Sequence, residues 1–549
     1  MIVPMLPPAA TLWPPRSITS TGWLVLDRAL TVDGPWTAQV RFGLRVLDPL
    51  PGAATGSTIH IRTTADPELA REGYRLEVHS SGIQIAASSP LGALQATTTI
   101  RQLLPAQAWT STATRRDDWR LPLTSLSDAP AFEYRGFMLD VSRHFAPVPE
   151  VLRWIELAAM HRLNHLHLHL TDDQGWRVES ASHPALAEVA SWRSSTWIGH
   201  SQGREQLDPA RLDDTPHGGL YTTADLREIT DHAARCGVTI VPEVDLPGHA
   251  SALLAAIPEL GVPGCPPQHV EPRWGLLGRT ISPLPGAMSI VATLLGEVAD
   301  AIDSPYLHVG GDEADLTMWR ESDEIRRFAE SHGGVEGLRA VVNAQLAQHV
   351  LDLDRTPIAW DDAFVAGGLP RQTIVMTWRS VDLGLRAARA GHDVVMAPVV
   401  PTYFDYAEDS GPDEPLSIGA PLTLADVAAW TPPAARSGSP GRVLGGQGQL
   451  WTEYTPDRAA REYRAFPRLS VLAANLWSGA PTDLATHADD LHAHLARLDA
   501  RHVNLRPLAG PRPWQRAGTG ARAPVGIFDL DEVTQHLADA ADHAEPPPG

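Results

Sequence analysis

Two neighbouring carboxylates, Asp312 and Glu313, follow the glycine pair Gly310-Gly311 at the end of a short apolar run. Neighbouring side chains of a regular strand point to opposite faces, but a chain that turns after two glycines can present both carboxylates on one side. Two carboxylates held close together do not both ionise easily, so one should have a raised pKa and act as a general acid near neutral pH. Hydrolysis of a glycosidic bond requires such an acid.

The second carboxylate of this pair does not fit the usual scheme of glycosidases. In that scheme the partner lies across the scissile bond, at about 5 Å or about 6.5–9.5 Å from the acid. A residue adjacent in sequence is awkwardly placed for either distance. It suits better a group that orients part of the substrate itself.

Polar and aromatic side chains also follow the other apolar runs of the chain. These segments are Asp140–His144, Thr171–Trp176, Pro242–His249, Trp360, Trp378, Tyr403–Asp405 and Trp451–Glu453. Tryptophan offers a flat apolar face to a sugar ring, while Asp, Glu and Arg make paired hydrogen bonds to vicinal hydroxyls. No Gly-rich phosphate loop, metal-ligand trio or nucleophile elbow competes with a carbohydrate site.

The scaffold that must position these residues is visible in the pattern from about residue 132 onwards. Eight short buried runs alternate there with amphipathic helices. The runs are Phe137–Val141, His165–Leu170, Val238–Val244, Tyr306–Val309, Pro357–Trp360, Thr373–Thr377, Asp393–Ala397 and Val443–Gly446. The pattern predicts a (β/α)8 TIM barrel, in which working residues gather at the carboxyl ends of the strands.

The chain is expected to divide into an N-terminal α+β domain over residues 1–127, the catalytic barrel over 128–505 and a partly frayed C-terminal extension over 506–549. In the first part, alternating apolar residues over 74–88 predict a hairpin, and helical spacing follows over Leu91–Leu104. We expect a linker at 109–120.

Three helices and two long loops are predicted within the barrel. The helices are 150–162, 224–235 and a ring-closing helix at 483–498, and the loops at the active-site face are 196–217 and 405–442. For the second helix, Thr222 and Asp225 resemble a capping box and Gly237 supplies the stop.

The composition excludes several other classes of function. The 549 residues carry 44 basic and 65 acidic side chains, a net charge of −21, and every basic side chain is arginine. Without lysine there is no Schiff-base chemistry and no P-loop lysine. The negative charge argues against nucleic acid or an anionic membrane as partner and fits a neutral substrate.

The cysteines and the N-terminal segment bear on location. Cys236 and Cys265 are too few for a disulfide scaffold or a thiolate zinc cluster, and we expect neither a bridge nor a cofactor. The opening residues MIVPMLPPAATLWPPRS have no basic region before an apolar run, so no signal peptide is predicted. The expected location is the cytoplasm.

Seven segments together resemble the β-N-acetylhexosaminidases of glycoside hydrolase family 20. They are LDVSRHF (139–145), LNHLHLHLTDDQGWR (163–177), HGGLYT (217–222), VPEVDLPGHA (241–250), HVGGDE (308–313), TYFD (402–405) and LWTE (450–453). The resemblance covers about residues 60 to 480. It implies exo-acting, retaining hydrolysis of terminal N-acetylglucosamine, and possible action on N-acetylgalactosamine, in neutral oligosaccharides, through an oxazolinium intermediate formed by the sugar's own acetamido group.

The same resemblance implies roles for individual residues. Glu313 is the general acid and later the base for water, while Asp312 holds the acetamido N–H and steadies the positive charge that develops there. Tyr403 donates to the acetamido oxygen. Asp172 and His249 resemble the pair that positions and tunes the acid.

Six further residues are implied to bind the sugar. The pocket walls are Trp360, Trp378 and Trp451. The side chains that bind hydroxyls are Arg143, Asp405 and Glu453. The chain departs from better-known bacterial members in lacking a tryptophan in the loop after Asp405, where an aliphatic residue such as Ile418 fills the place or the pocket is more open.

Alternatives stay open for the function and for some residues. The chain is alternatively a family variant that releases a disaccharide or a sulfated sugar, or a carbohydrate-binding barrel without turnover. Three alternating histidines, His165, His167 and His169, invite a metal interpretation, but no carboxylate stands at ligand spacing beside them, so a structural role is favoured and no metal is expected.

Purely structural roles remain alternatives at other positions. Trp176 is expected to be structural. Arg143 could instead pair with Asp140 in the core, and Asp172 and Asp173 could simply cap the next turn.

Overall fold

The computed structural model describes residues 22–26, 29–45, 58–110, 119–201, 207–419 and 421–516. The N-terminal part forms a small α+β domain. Its five-stranded sheet has the spatial order Ala29–Asp33, Thr58–Ala65, Gly82–Ala87, Tyr74–His79 and Thr124–Asp128. A second sheet pairs Trp23–Val25 with Arg120–Pro122, and the α-helices of this part are Thr37–Gly43 and Pro90–Gln102.

The local signals of this domain are confirmed, with one change at its end. Residues Tyr74–His79 and Gly82–Ala87 form the expected antiparallel hairpin. The following helix begins at Pro90 because the Ser89 hydroxyl accepts the first free N–H groups. Within the predicted linker, 111–118 lie outside the described residues, but Trp109 is buried and Arg120 begins a strand, so both ends of the segment belong to ordered structure.

A closed barrel of eight parallel strands follows, as the alternation of runs and helices predicts. The strands are Tyr134–Asp140, His165–His169, Thr239–Glu243, Tyr306–His308, Thr356–Trp360, Ile374–Thr377, Val394–Met396 and Val443–Leu450. Each pairs with its neighbours in sequence, and the eighth closes on the first through the register Gly445↔Tyr134. The carboxyl ends of all eight strands therefore meet at one face.

Helices surround the barrel and short elements decorate its loops. The α-helices are Val148–Met160, Thr223–Cys236, Ser251–Ala256, Pro285–Ala301, Thr317–Glu321, Asp323–Ala329, Gly334–Asp352, Asp361–Ala366, Val381–Ala390, Val399–Thr402, Leu424–Ala428, Arg458–Ala465, Arg468–Ser478 and Ala488–Ala500. The short strand pairs are Thr171–Asp172 with Gly175–Trp176 and Trp192–Arg193 with His217–Gly218. Among the described residues, no helix combines the length and the apolar character needed to cross a membrane.

The predicted helix signals hold at one helix and fail at another. Thr222 and Asp225 form a complete capping box, and Gly237 ends the helix in a left-handed conformation with φ of 74°. The helix predicted at 483–498 begins only at Ala488. Its expected first turn is taken by Asp483, whose carboxylate accepts the N–H groups of Ala485 and Thr486 and holds a non-helical turn.

The N-terminal domain is fastened to the amino-terminal end of the barrel by buried arginines. Arg135, on the first barrel strand, reaches Glu72 at 2.5 Å, and Arg162 reaches Thr99 at 2.5 Å and Asp128 at 3.5 Å. Both arginines are fully buried, and one continuous cluster of apolar side chains runs through both domains. The catalytic face lies at the opposite end of the barrel.

Candidate active site

The turn after the fourth strand presents Asp312 and Glu313 together, as the two glycines predict. Gly310 and Gly311 have φ of 66° and 100°, and a Cβ on Gly310 would lie 1.6 Å from Asp245 Oδ1. That same oxygen accepts the Gly311 N–H at 3.1 Å. Glycine is therefore required here both for the left-handed backbone and for the close approach of Asp245.

His249 joins the two carboxylates to the second strand. Its Nε2 lies 3.5 Å from Glu313 and 3.8 Å from Asp312, and its Nδ1 lies 3.3 Å from Asp172. Burial disfavours the charged imidazolium, but the Asp172 carboxylate outweighs it and raises the pKa of His249 well above its usual range. Both His249 and Glu313 have φ of 48°, a left-handed conformation that is rare for residues other than glycine and is often found at functional sites.

Asp172 is the centre of this side of the site. Its carboxylate accepts from Arg143 Nη2 at 2.7 Å and lies 2.8 Å from His169 Nε2. Burial opposes its ionisation, yet Arg143 and His249 hold the pKa of Asp172 well below its usual range. Asp173, by contrast, accepts the N–H and hydroxyl of Ser251 at the start of helix Ser251–Ala256, 78 residues further along the chain, rather than capping the turn that follows it in sequence.

The raised pKa of the carboxylate pair lies on Asp312. Burial raises it well above its usual range, and the neighbouring Asp245 raises it further. The link between the raised pKa and the general acid, and the assignment of that acid to Glu313, stay predictions. The two side chains differ in burial: that of Asp312 is 11% exposed and that of Glu313 is 25% exposed.

Glu243 is a residue at this face to which the sequence analysis gave no role. Its carboxylate lies against the Nδ1 of His169, 3.1 Å from His167 Nε2 and 3.1 Å from His308 Nδ1, and it accepts the Trp360 indole N–H at 2.7 Å. Burial opposes the ionisation of Glu243, but the three histidines hold its pKa well below its usual range. Glu243 thus supports both the histidine behind Asp172 and one wall of the pocket.

The same contacts correct one premise of the histidine interpretation. No carboxylate was expected at ligand spacing, but Glu243, on the neighbouring strand, reaches both His167 and His308. The three side chains lie close enough together to hold one metal ion. The Gly310 N–H donates to His308 Nδ1 at 3.0 Å, so this nitrogen already has a partner within the protein.

Three tryptophans stand at the carboxyl ends of the fifth, sixth and eighth strands. The ring centroids of Trp360 and Trp451 are 6.3 Å apart, and Tyr403 lies 6.2 Å from Trp451. Trp378 donates its indole N–H to Asp362 at 2.9 Å and is covered by the Arg379 guanidinium at 4.3 Å. The polar edges of Trp360 and Trp378 are therefore bonded within the protein, which orients their apolar faces.

Asp405, after the seventh strand, is a buried carboxylate of a different kind from Asp172. Asp405 is 3% exposed, and neither of its carboxylate oxygens has a hydrogen-bond partner on another described residue. Burial raises the pKa of Asp405 well above its usual range, and the nearby Glu453 adds to the shift. A buried polar group without a partner is costly, which points to a ligand that completes it.

The structure also describes the surroundings of Trp176, Arg143 and the two cysteines. Trp176 is 2% exposed and donates to Val178 O at 2.7 Å, a structural role. Arg143 contacts Asp140 at 3.3 Å and Asp172 at 2.7 Å, so it does pair with Asp140 while lying in the site. Both cysteines are free thiols, and burial raises the pKa of Cys236 to about 11.

Two family models match this chain. The catalytic domain of glycosyl hydrolase family 20 matches residues 132–480, and domain 2 of the same family matches residues 17–129. The chain belongs to glycosyl hydrolase family 20. This membership confirms the resemblance drawn from the motifs, and all the predicted site residues lie within the family's catalytic domain.

Curated relatives in family 20 share about a third of the sequence. The β-hexosaminidase of Porphyromonas gingivalis is 33% identical over 478 residues, which cover 85% of this chain and 58% of the relative. The β-hexosaminidase of Vibrio furnissii is 31% identical over 418 residues, 75% of this chain and 66% of the relative. The chain thus spans less than two thirds of the length of each.

Solved family 20 structures share the fold. An exo-β-N-acetylglucosaminidase from Vibrio harveyi, in complex with N-acetylglucosamine, gives a TM-score of 0.77 at 28% identity and covers 91% of this chain and 80% of its own. A mutant β-hexosaminidase from Streptomyces plicatus with its product N-acetylglucosamine gives 0.75 at 27% identity, covering 92% and 98%.

Proposed function

We propose that this family 20 protein is an exo-acting, retaining β-N-acetylhexosaminidase that removes terminal N-acetylglucosamine from neutral oligosaccharides. The observation that carries the proposal is the turn at Gly310-Gly311, which brings Asp312 and Glu313 to one side, both within 3.8 Å of His249. The names of the relatives and the sugar bound in the two solved structures support the substrate class.

In this proposal the sugar supplies its own nucleophile. Glu313 gives its proton to the departing oxygen while the acetamido oxygen attacks the anomeric carbon, and Glu313 then takes a proton from the water that opens the oxazolinium ring. Asp312 lies on the same side as the acid and accepts the acetamido N–H. Its buried position makes its negative charge costly before reaction and well matched to the positive charge that develops on the acetamido group, so it favours the transition state over the bound substrate.

The remaining side chains hold the sugar ring. Tyr403 is 7% exposed and lies next to Trp451, and in this proposal its hydroxyl donates to the acetamido oxygen. The unpartnered oxygens of Asp405 accept hydrogen bonds from sugar hydroxyls.

The deciding experiment compares a chromogenic N-acetyl-β-D-glucosaminide with the matching β-D-glucoside, with and without a thiazoline mimic of the oxazolinium ion. We expect cleavage of the acetamido sugar alone, blocked by the mimic. Equal cleavage of both sugars would overturn the neighbouring-group mechanism. Binding of N-acetylglucosamine without cleavage would favour a carbohydrate-binding barrel, and cleavage only of disaccharide or sulfated aryl glycosides would favour the variant specificities.

A further inference from the structure

Two backbone hydrogen bonds close the base of the loop that carries Asp405. Phe404 donates its N–H to Gln449 on the eighth strand at 2.8 Å, and Leu422 donates to Ala407 at 2.7 Å, which closes the base of the loop. Between these two bonds lies a segment rich in Pro, Gly and acidic residues, with no strand or helix of its own in its described part. Side chains from elsewhere must therefore fix its position.

Arg468 makes the first of these attachments. It is fully buried at the start of helix Arg468–Ser478 and donates to Phe404 O at 2.6 Å, to Tyr406 O at 3.0 Å and to Leu422 O at 2.9 Å. Two of these carbonyls lie on either side of Asp405. One guanidinium thus fixes the backbone that carries the unpartnered carboxylate.

Arg506 makes the second attachment, from the segment that follows the last helix. Its guanidinium lies 2.7 Å from Glu414 and 3.6 Å from Glu408 on the loop, and its own N–H donates to Phe466 O at 3.0 Å. Glu408 also faces Arg468 at 3.6 Å, so it stands between the two arginines. Arg506 is 5% exposed, and the side chains of Glu408 and Glu414 are no more than 5% exposed; a third loop carboxylate, the exposed Asp409, lies 3.4 Å from the guanidinium.

Buried ion pairs of this kind are sensitive to the loss of one partner. Removal of the cation leaves carboxylates buried without compensation, and the segment that carries them moves toward water. Here that segment is the loop that holds Asp405. Movement of the loop would also move Glu408, which contacts Arg468, and would thereby displace the carbonyls on either side of Asp405.

We infer that Arg506 is a positioning residue, and that the segment 503–516 is a strap that fixes the sugar-binding loop so that Asp405 meets a sugar hydroxyl. The inference rests on the proposed function for the identity of the sugar. It gives a role to the first part of the C-terminal extension, for which the sequence indicated only packing.

The test is Arg506→Gln, which removes the charge but keeps length and polarity. Arg75→Gln is the control, because the half-exposed Arg75 pairs with Asp66 at 2.5 Å in the N-terminal domain, outside both the strap and the site. For Arg506→Gln we expect KM to rise about tenfold, the effect of weakening one or two hydrogen bonds to the sugar, with kcat changed much less. The control should keep the KM of the wild-type protein, and an equal rise in both variants would overturn the strap.

A double-mutant cycle separates positioning from general destabilisation. If Arg506 acts through Asp405, then Arg506→Gln should add little to the loss in kcat/KM already caused by Asp405→Asn. Fully additive losses would overturn the inference. Arg506→Lys keeps the charge without the forked geometry and should recover part of the loss.

Two further measurements test the role of Arg506 if its variant does not fold or if the wild-type protein is inactive. If Arg506→Gln does not fold, Glu414→Gln removes the same ion pair from the loop side, and an unchanged KM in that variant would overturn the strap. If the wild-type protein hydrolyses no acetamido glycoside, the proposed function fails, and the strap is judged by calorimetric binding of N-acetylglucosamine. Weaker binding by Arg506→Gln than by Arg75→Gln would then support it, and equal binding would overturn it.

Discussion

The two sides of the candidate site bury carboxylates in opposite ways. On the acid side, Asp172 and Glu243 are ionised and surrounded by histidines, an arginine and an indole N–H. On the sugar side, Asp405 is buried to the same degree, but its two oxygens have no hydrogen-bond partner on another described residue. Asp172 and Glu243 already have protein partners, whereas in the proposed function a sugar hydroxyl supplies the partner of Asp405.

This difference separates positioning from binding. A buried polar network whose members satisfy one another is rigid and fixes the geometry of the group it surrounds, here His249 and Glu313. A buried carboxylate left without a partner costs stability in the free protein, and that cost is offset when a hydroxyl arrives. Substitutions on the two sides should therefore differ in which kinetic constant they change.

The largest effect is expected for the acid itself. Glu313→Gln should lower kcat by about 10²–10⁴-fold on a substrate with a poorly departing alcohol, the usual contribution of a positioned general acid. Steady-state kinetics with an alkyl N-acetyl-β-D-glucosaminide measures this. The exposed Glu321→Gln serves as the control, and near-normal turnover by Glu313→Gln would remove the assignment.

Glu243→Gln should reduce kcat by up to about 10²-fold, although Glu243 itself does not contact substrate. A small misplacement of the reacting groups can lower the rate by that factor. The amide keeps the volume but cannot compensate the charges of His169 and its neighbours. The expected split is a fall in kcat with KM nearly unchanged. A rise in KM with unchanged kcat would instead indicate that Glu243 contributes to substrate binding.

Asp405→Asn should change binding and stability in opposite directions. Replacing one of the two carboxyl oxygens that accept from sugar hydroxyls by an amide nitrogen should raise KM by about tenfold or more. Thermal unfolding of the free protein should shift upward, since a buried carboxyl without a partner is replaced by a neutral amide. A variant that is destabilised in the free state would show that Asp405 already has its partners.

The last effect concerns Asp361, buried beneath Trp378. Burial and the adjacent Asp362 raise the pKa of Asp361 to about 7. Between about pH 4 and pH 7 the folded protein retains a proton that the unfolded chain has released, so the free energy of unfolding falls as pH rises. Over this interval the expected fall is about 4 kcal/mol, at about 1.4 kcal/mol per pH unit.

Denaturant unfolding at several pH values tests this sign. Asp361→Asn should flatten the pH dependence between about 4 and 7. The exposed Asp382→Asn should leave the dependence as it is in the wild-type protein. An unchanged slope in Asp361→Asn would mean that the carboxyl is ionised in the folded state at neutral pH.

The sequence predicts what is local and misses what depends on barrel register. The eight strands, the capping box at Thr222 and the turn at Gly310-Gly311 all follow from residue types at short spacing. The role of Glu243 does not, although the segment VPEVDLPGHA was recognised, because the contact requires Glu243 to stand level with His169 and His308 on neighbouring strands.

The charge states show the same limit. Adjacency in sequence predicts one raised pKa in the pair Asp312 and Glu313, but burial and the neighbouring Asp245, which only the structure shows, raise the pKa of Asp312. Arg506 lies about a hundred residues from Asp405 in sequence, and no local pattern links them. The pairing of distant charges is a property of the packed molecule.

The buried arginines beneath the barrel have a consequence for how the molecule melts. Arg135 and Arg162 lie in the barrel, yet some of their acceptors, Glu72 and Thr99, belong to the other domain. If the two domains separated, the buried guanidinium groups would lose these acceptors, so unfolding of one domain alone is unfavourable. Heating should therefore produce one cooperative transition, in which the N-terminal domain and the barrel unfold together.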